Sequence, residues 1–254
     1  MAFIEARIFS ESLGMATSFM AVIPERSTKG LIGMSGEVSQ TKHKCLYLLH
    51  GLSDDETIWM RRTSIERYAT KYGIAVIMPR ADRSFYTDMK YGPKYFTYIT
   101  EELPFKVADL FPSVSRERCD TVIGGLSMGG YGAIKAALRC PEKYSAVIAL
   151  SSVADIVGRA EYFKPTLVPI FGEAVAIPES EDLFALSEKL PADIRPKIFM
   201  AVGRSDALCP DNERLYALLS SLGYDVSLTV GEGIHSWDFW DEHIRGGLDA
   251  VFGA

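Results

Sequence analysis

Gly125-Leu126-Ser127-Met128-Gly129 sets one serine between two glycines at the end of an apolar run, within the stretch VIGGLSMGGYGA (122–133). Two-glycine spacing also occurs in phosphate-binding loops. Here, however, Gly130-Tyr131 or Tyr131-Gly132 stands where such a loop needs Lys-Ser/Thr. No G-x-G-x-x-G can be read either. The pattern that fits is G-x-S-x-G, a serine on a sharp turn between a strand and a helix, with glycines where a side chain would collide with backbone. The chemistry of such a serine is nucleophilic attack on an acyl group.

A serine hydroxyl is a poor nucleophile at neutral pH, so an imidazole must accept its proton during attack. A carboxylate on the other ring nitrogen then fixes the tautomer and stabilises the imidazolium. His235, in VGEGIHSWDFW, and Asp206, in AVGRSDAL, each follow an apolar run and lead this assignment. His50, His43 and His243 are the competing bases. Asp155, after the run 144–152, is the competing acid. Asp238 stands where the last helix should start, and an acid there suits the helix dipole. The developing oxyanion needs two donors. One is the N–H of Met128, next after the nucleophile and at a helix N-terminus. The other is the N–H of Leu52, beyond the tight turn at His50-Gly51, where His50 reads as a structural loop residue.

These residues need a scaffold that ends several strands on one edge. Two β-like stretches (3–9 and 17–23) open the chain, followed by the run 44–51, a helix at 59–72 and a strand at 74–79. The segment 94–111 reads as a helix, 121–125 as a strand and 128–139 as a helix. Strands at 144–152, 197–203 and 225–231 alternate with helices at 211–222 and 239–252. Short, nearly continuous Val/Ile/Leu runs are those of strands buried on both faces of a parallel sheet. Their alternation with helices predicts an α/β fold, a mostly parallel central sheet flanked by helices. Ser127, Asp206 and His235 all fall where strands end, the edge at which such sheets gather their sites. The chain order Ser, Asp, His is that of the α/β-hydrolase fold. The chain reads as one domain over 1–254, with 154–190 as a small cap-like insertion between two strands.

Composition fits this reading. The 254 residues are 48% hydrophobic and 24% charged, which argues against disorder. The net charge of -6 gives no electrostatic case for nucleic acid or an anionic membrane as partner. No apolar run nears the ~20 residues that span a bilayer, and the N-terminus does not read as a signal peptide. Four cysteines (45, 119, 140, 209) stand far apart without C-x-x-C spacing, as reduced thiols of a cytoplasmic protein do. Four histidines form no metal-ligand pattern, so neither a metal nor a cofactor is expected.

YLLHGLSDDETIW, PRADRSFYTDMKYG, YFTYITEELP, GGLSMGGYGA and GIHSWDFWDEHI together resemble the esterase D-like branch of the α/β-hydrolases, closest to its bacterial tributyrin esterase group. The resemblance runs from about residue 3 to 252. It implies a cofactor-free carboxylesterase for short-chain acyl esters, with Ser127, Asp206 and His235 as triad and Leu52 and Met128 as oxyanion hole. A small-molecule ester is the implied partner, and a homo-oligomer is compatible with the resemblance, since such families commonly assemble. HSWDFW departs from the H-S-Y-Y-F of the S-formylglutathione hydrolases, which counts against a thioester substrate. An acyltransferase would use the same triad, and a non-catalytic binding module is the reading from another class. The segment 80–89 lies beyond a strand end, so Tyr86 and Asp88 are expected either at the substrate or as residues that pin this loop. Trp237 and the aromatics Tyr162, Phe163, Phe171 and Phe184 are candidate pocket walls.

Overall fold

The computed structural model describes residues 1–25 and 42–253. Among these residues eight strands form one sheet in the order β1-β2-β4-β3-β5-β6-β7-β8. β1 (Ala2–Ser10), β2 (Met15–Ile23) and β4 (Ala75–Pro79) pair antiparallel, and β3 (Cys45–Leu49), β4, β5 (Thr121–Leu126), β6 (Ala146–Leu150), β7 (Lys197–Gly203) and β8 (Val226–Gly231) run parallel. The expected α/β architecture, a mostly parallel sheet between helices, is thus what the chain adopts.

The central strands are buried on both faces. In β3, Cys45, Tyr47 and Leu49 enter one core and Leu46 and Leu48 the other, the period-2 alternation of a strand hidden inside its run of apolar residues. The first core lies under α4 (Leu103–Leu110), α5 (Met128–Arg139) and α8 (Cys209–Ser221). The second lies under α1 (Ile58–Arg62), α2 (Ile65–Tyr72) and α9 (Trp237–Phe252). The insertion between β6 and β7 carries two short helices, α6 (Lys164–Phe171) and α7 (Leu183–Lys189).

Two helices differ from their expected course. The helix expected over 59–72 is divided into α1 and α2 at Thr63. The Thr63 hydroxyl donates to the Trp59 carbonyl and accepts the Ile65 N–H, so a side chain replaces the backbone ladder there. The run 94–111 is helical, from α3 (Tyr95–Thr97) to α4, but passes through a π-helical turn at Tyr98–Glu102. Pro104 has no N–H to offer the Thr100 carbonyl, which instead accepts from Lys143 Nζ at 3.0 Å.

The same turn ends in an anchor for the first hairpin. The Glu102 carboxylate accepts the Ser10 hydroxyl at 2.7 Å and the N–H groups of Glu11 and Ser12 at 2.8 and 2.9 Å. Burial opposes its charge, but those donors prevail and hold its pKa down at about 2. Since the folded value lies below the ordinary 4.5, this stabilisation is present above that pH and is lost as pH falls from there toward 2. Glu102→Gln is expected to cost about 1.5–3 kcal/mol at pH 7, the range for hydrogen bonds to a charged group. In urea unfolding, the gap to the wild type should narrow as pH falls from about 5 to 2. A gap independent of pH would contradict the anchor.

Candidate active site

β5 ends at Leu126 and α5 begins at Met128, leaving Ser127 alone in the turn with φ 54° and ψ −117°. An L-residue with positive φ is strained, and it persists only where packing over-determines it. That packing is visible at both flanking glycines. A Cβ on Gly125 would lie 2.6 Å from the Gly129 backbone, and one on Gly129 would lie 2.7 Å from the His50 carbonyl oxygen. The turn also holds to the next strand, with the Ser127 N–H donating to Leu150 O at 2.8 Å.

Asp206 follows β7 and His235 follows β8, and these loops meet at the serine. His235 Nε2 stands 3.1 Å from Ser127 Oγ, and His235 Nδ1 stands 2.8 Å from Asp206 Oδ2. The Asp206 side chain is wholly buried and that of His235 is 36% exposed, so the imidazole alone of the pair faces the opening. Burial would raise the Asp206 pKa. Hydrogen bonds from His235 and the Leu208 N–H, with the attraction of His235, outweigh it and hold the carboxyl below its ordinary range. Asp206 is therefore ionised at neutral pH.

The rivals are occupied elsewhere. Asp155 pairs with Arg214 at 2.9 Å and accepts the Gly158 N–H. Asp238 stands exposed in the first turn of α9. His43 is buried at the β3 entry, and His243 stacks on Phe239 with centroids 3.8 Å apart. His50 is buried, with Nε2 accepting the Ala81 N–H and Nδ1 on Gly51 O at 2.7 Å; burial lowers its pKa and keeps it neutral. It fixes the loop that carries Leu52.

Ser127 opens into a cavity of about 550 Å³. Leu52 and Met128 line it, as do Trp237, Tyr162 and Phe163, whereas Phe171 and Phe184 do not. Met128 is the first residue of α5, so its N–H has no intrahelical acceptor. Tyr86 and Asp88 do not reach the cavity. Consecutive left-handed residues, Phe85 (φ 48°) and Tyr86 (φ 52°), bring Phe85 to the cavity and bury Tyr86, whose hydroxyl donates to His50 O at 2.8 Å. The Asp88 carboxylate is exposed and holds the Thr97 N–H and hydroxyl at 2.9 and 2.7 Å. Sequence reasoning missed Phe85, Arg159 and Trp240. Trp240 had a legible signal, since it lies three residues past Trp237 and so on the same helix face. Among the described residues no three His, Cys, Asp or Glu side chains gather as a metal site would require.

Residues 37–250 match the family described as "Putative esterase", and the chain belongs to that family. An acetyl esterase of Caldicellulosiruptor saccharolyticus is 32% identical, over 98% of this chain and 97% of that one. A fluorophosphonate-binding serine hydrolase of Staphylococcus aureus, solved with substrate bound, is 33% identical with a TM-score of 0.88, over 99% and 98% of the two chains. The S-formylglutathione hydrolase of the same organism is 32% identical with a TM-score of 0.84, over the same shares. The fold is that of the α/β-hydrolases, and the protein is a serine esterase, a carboxylic ester hydrolase.

One buried network fixes the insertion to this site. Glu181 accepts from Lys135 Nζ at 2.6 Å and Arg139 Nη1 at 2.7 Å, and Lys135 also donates to Phe85 O at 3.0 Å. Burial pulls Lys135 down to about 8, against the opposing pull of Glu181. Glu181→Gln would leave a buried ammonium without its counter-charge, at an expected cost of about 3–5 kcal/mol. Chemical denaturation should show that loss together with weaker substrate binding, because Phe85 shares the network. Unchanged stability would contradict it.

Proposed function

We propose that Ser127, His235 and Asp206 form a catalytic triad that hydrolyses short-chain acyl esters through an acyl-enzyme. The observation that carries this reading is the continuous hydrogen-bonded line from Ser127 Oγ through His235 to the buried Asp206, at 3.1 and 2.8 Å. Ser127 Oγ attacks the acyl carbon as His235 Nε2 takes its proton, and Asp206 stabilises the imidazolium so formed. The N–H groups of Leu52 and Met128 receive the oxyanion. His235 returns the proton to the departing alkoxide, leaving the acyl group on Ser127. Water, deprotonated by the same imidazole, then releases the acid.

The preference for short chains rests on the cavity. Its walls are bulky side chains (Phe85, Phe163, Trp237), and the insertion supplies only two short helices, too little for a large apolar lid. Each added methylene gains ~0.8 kcal/mol only while it fits, and overpacking then costs ~1–3 kcal/mol. We read the chain as one domain with 154–190 as its cap. The four free cysteines support a reducing, cytoplasmic setting.

A fluorophosphonate should label Ser127 stoichiometrically, and Ser127→Ala should abolish labelling and hydrolysis. His235→Ala should lose nearly as much and Asp206→Asn less, since the carboxylate never carries the transferred proton. Only the neutral imidazole can accept the serine proton, so activity should rise with pH across about pH 5 to 8. In a C2–C12 series of 4-nitrophenyl esters, kcat/KM should peak between C2 and C6. Labelling elsewhere with full activity in Ser127→Ala would overturn the triad, and an optimum at C12 would overturn the small pocket.

A further inference from the structure

The sheet ends in two edge strands, β1 and β8, and β1 carries charges in an order that complements its own reverse. Among the described residues β1 is bonded to β2 alone. Its outer side therefore presents unpaired backbone N–H and C=O groups, a template for another strand. Such edges are ordinarily blunted by shortness, a bulge, a proline or a lysine. β1 has none of these. It runs nine residues, AFIEARIFS, in unbroken register with β2 from Ala2 to Ser10. Its side chains alternate, as a strand requires. Ile4, Ala6 and Ile8 pack against the core. Phe3, Glu5, Arg7 and Phe9 stand on the opposite face in solvent, with Phe3 52% and Phe9 61% exposed. Glu5 and Arg7 meet within the strand, Arg7 Nη2 lying 3.0 Å from Glu5 Oε1.

Symmetry and charge together choose a register. Two copies that pair edge to edge about a twofold axis run antiparallel, and the same strand then meets itself. Directly opposed residues either both turn their N–H and C=O groups toward the other strand or both turn them away, so the axis must pass where a residue faces its own copy. Opposed side chains lie about 5 Å apart, where like charges repel and opposite charges attract. An axis at Glu5 would set two glutamates against each other, and one at Arg7 would set two arginines against each other. Axes nearer either end leave fewer residues paired. An axis at Ala6 sets Glu5 against Arg7 of the second copy and Arg7 against its Glu5. The same register opposes Phe3 to Phe9 on the solvent face and Ile4 to Ile8 on the core face.

We propose that β1 is the docking edge for a second copy of this chain, paired antiparallel about Ala6 so that the two sheets join into one. The four charges then alternate in a ring, each Arg7 beside its own Glu5 along the strand and the other Glu5 across it. A Phe3–Phe9 pair flanks the ring on each side and covers the two rings that one chain leaves in solvent. β8 is different: its six residues, VSLTVG, carry no charge that would choose one register over another. Ser127, Asp206 and His235 follow β5, β7 and β8, strands that β1 does not touch. The contact is therefore separable from hydrolysis.

Sedimentation velocity of the full chain is the test. The wild type should run as a dimer, or as a pair of dimers. Glu5→Arg makes all four charges of the ring basic and Arg7→Glu makes all four acidic, so each variant alone should halve the mass. Exchanging the two charges in one chain, Glu5→Arg with Arg7→Glu, restores the alternation and should restore the wild-type mass. Mixing the two single variants should do the same, because an all-basic edge then meets an all-acidic one. A folding defect cannot produce that recovery, and every variant should retain hydrolysis of 4-nitrophenyl butyrate. A monomeric wild type would overturn the inference, as would single variants that keep the wild-type mass. So would an exchange variant and a mixture that both stay at half mass.

Discussion

The structure turns on a backbone constraint between Leu126 and Met128. A serine forced to φ 54° projects its hydroxyl out of the turn instead of along it, and nothing local favours that conformation. It is imposed from both sides, by the carbonyl edge of β3 pressed on Gly129 and by the Ser127 N–H bonded to the end of β6. Strain of this kind costs about 1–3 kcal/mol and is stable only within a rigid surround. The parallel sheet with a helix on each face is that surround. It stiffens the turn, and it also ends three strands where Ser127, Asp206 and His235 meet.

Charge at the site is arranged in the same manner. Asp206 is buried and ionised because donors converge on it, and His235 is left half open to the cavity between that carboxylate and the serine. Around them, Trp59, Trp237 and Trp240 make successive edge-to-face contacts at 5.2 and 5.1 Å, tying α1 to the start of α9. The loop bearing Leu52 is fixed by neutral His50 and by the Tyr86 hydroxyl on its carbonyl. His235 and the loop bearing Leu52 are thus each held by a buried group.

Legibility in the sequence followed the range of the interaction. That Ser127, Asp206 and His235, the proposed triad, would lie on one sheet edge could be read because each sits directly after an apolar strand, and strand ends are local patterns. The sheet was readable for the same reason. What escaped depended on single residues overriding a pattern: Thr63 capping a second helix, Pro104 withholding one N–H, and Phe85 with Tyr86 turning left-handed in succession. The last of these exchanged the expected partner. Tyr86 went inward to brace His50 O while its neighbour Phe85 took the cavity wall, an inversion that no periodicity announces. Asp88 was drawn to Thr97, the last residue of α3, a contact that the sequence pattern does not announce.

The central claim is that Ser127 carries the acyl group between two half-reactions. The most direct measurement is mass spectrometry of peptides from enzyme acid-quenched during turnover of 4-nitrophenyl butyrate. The account predicts a butyryl adduct on the peptide containing Ser127, formed as fast as the phenolate is released and lost at the rate of acid production. A butyryl group on another residue, formed and lost at those rates, would contradict it.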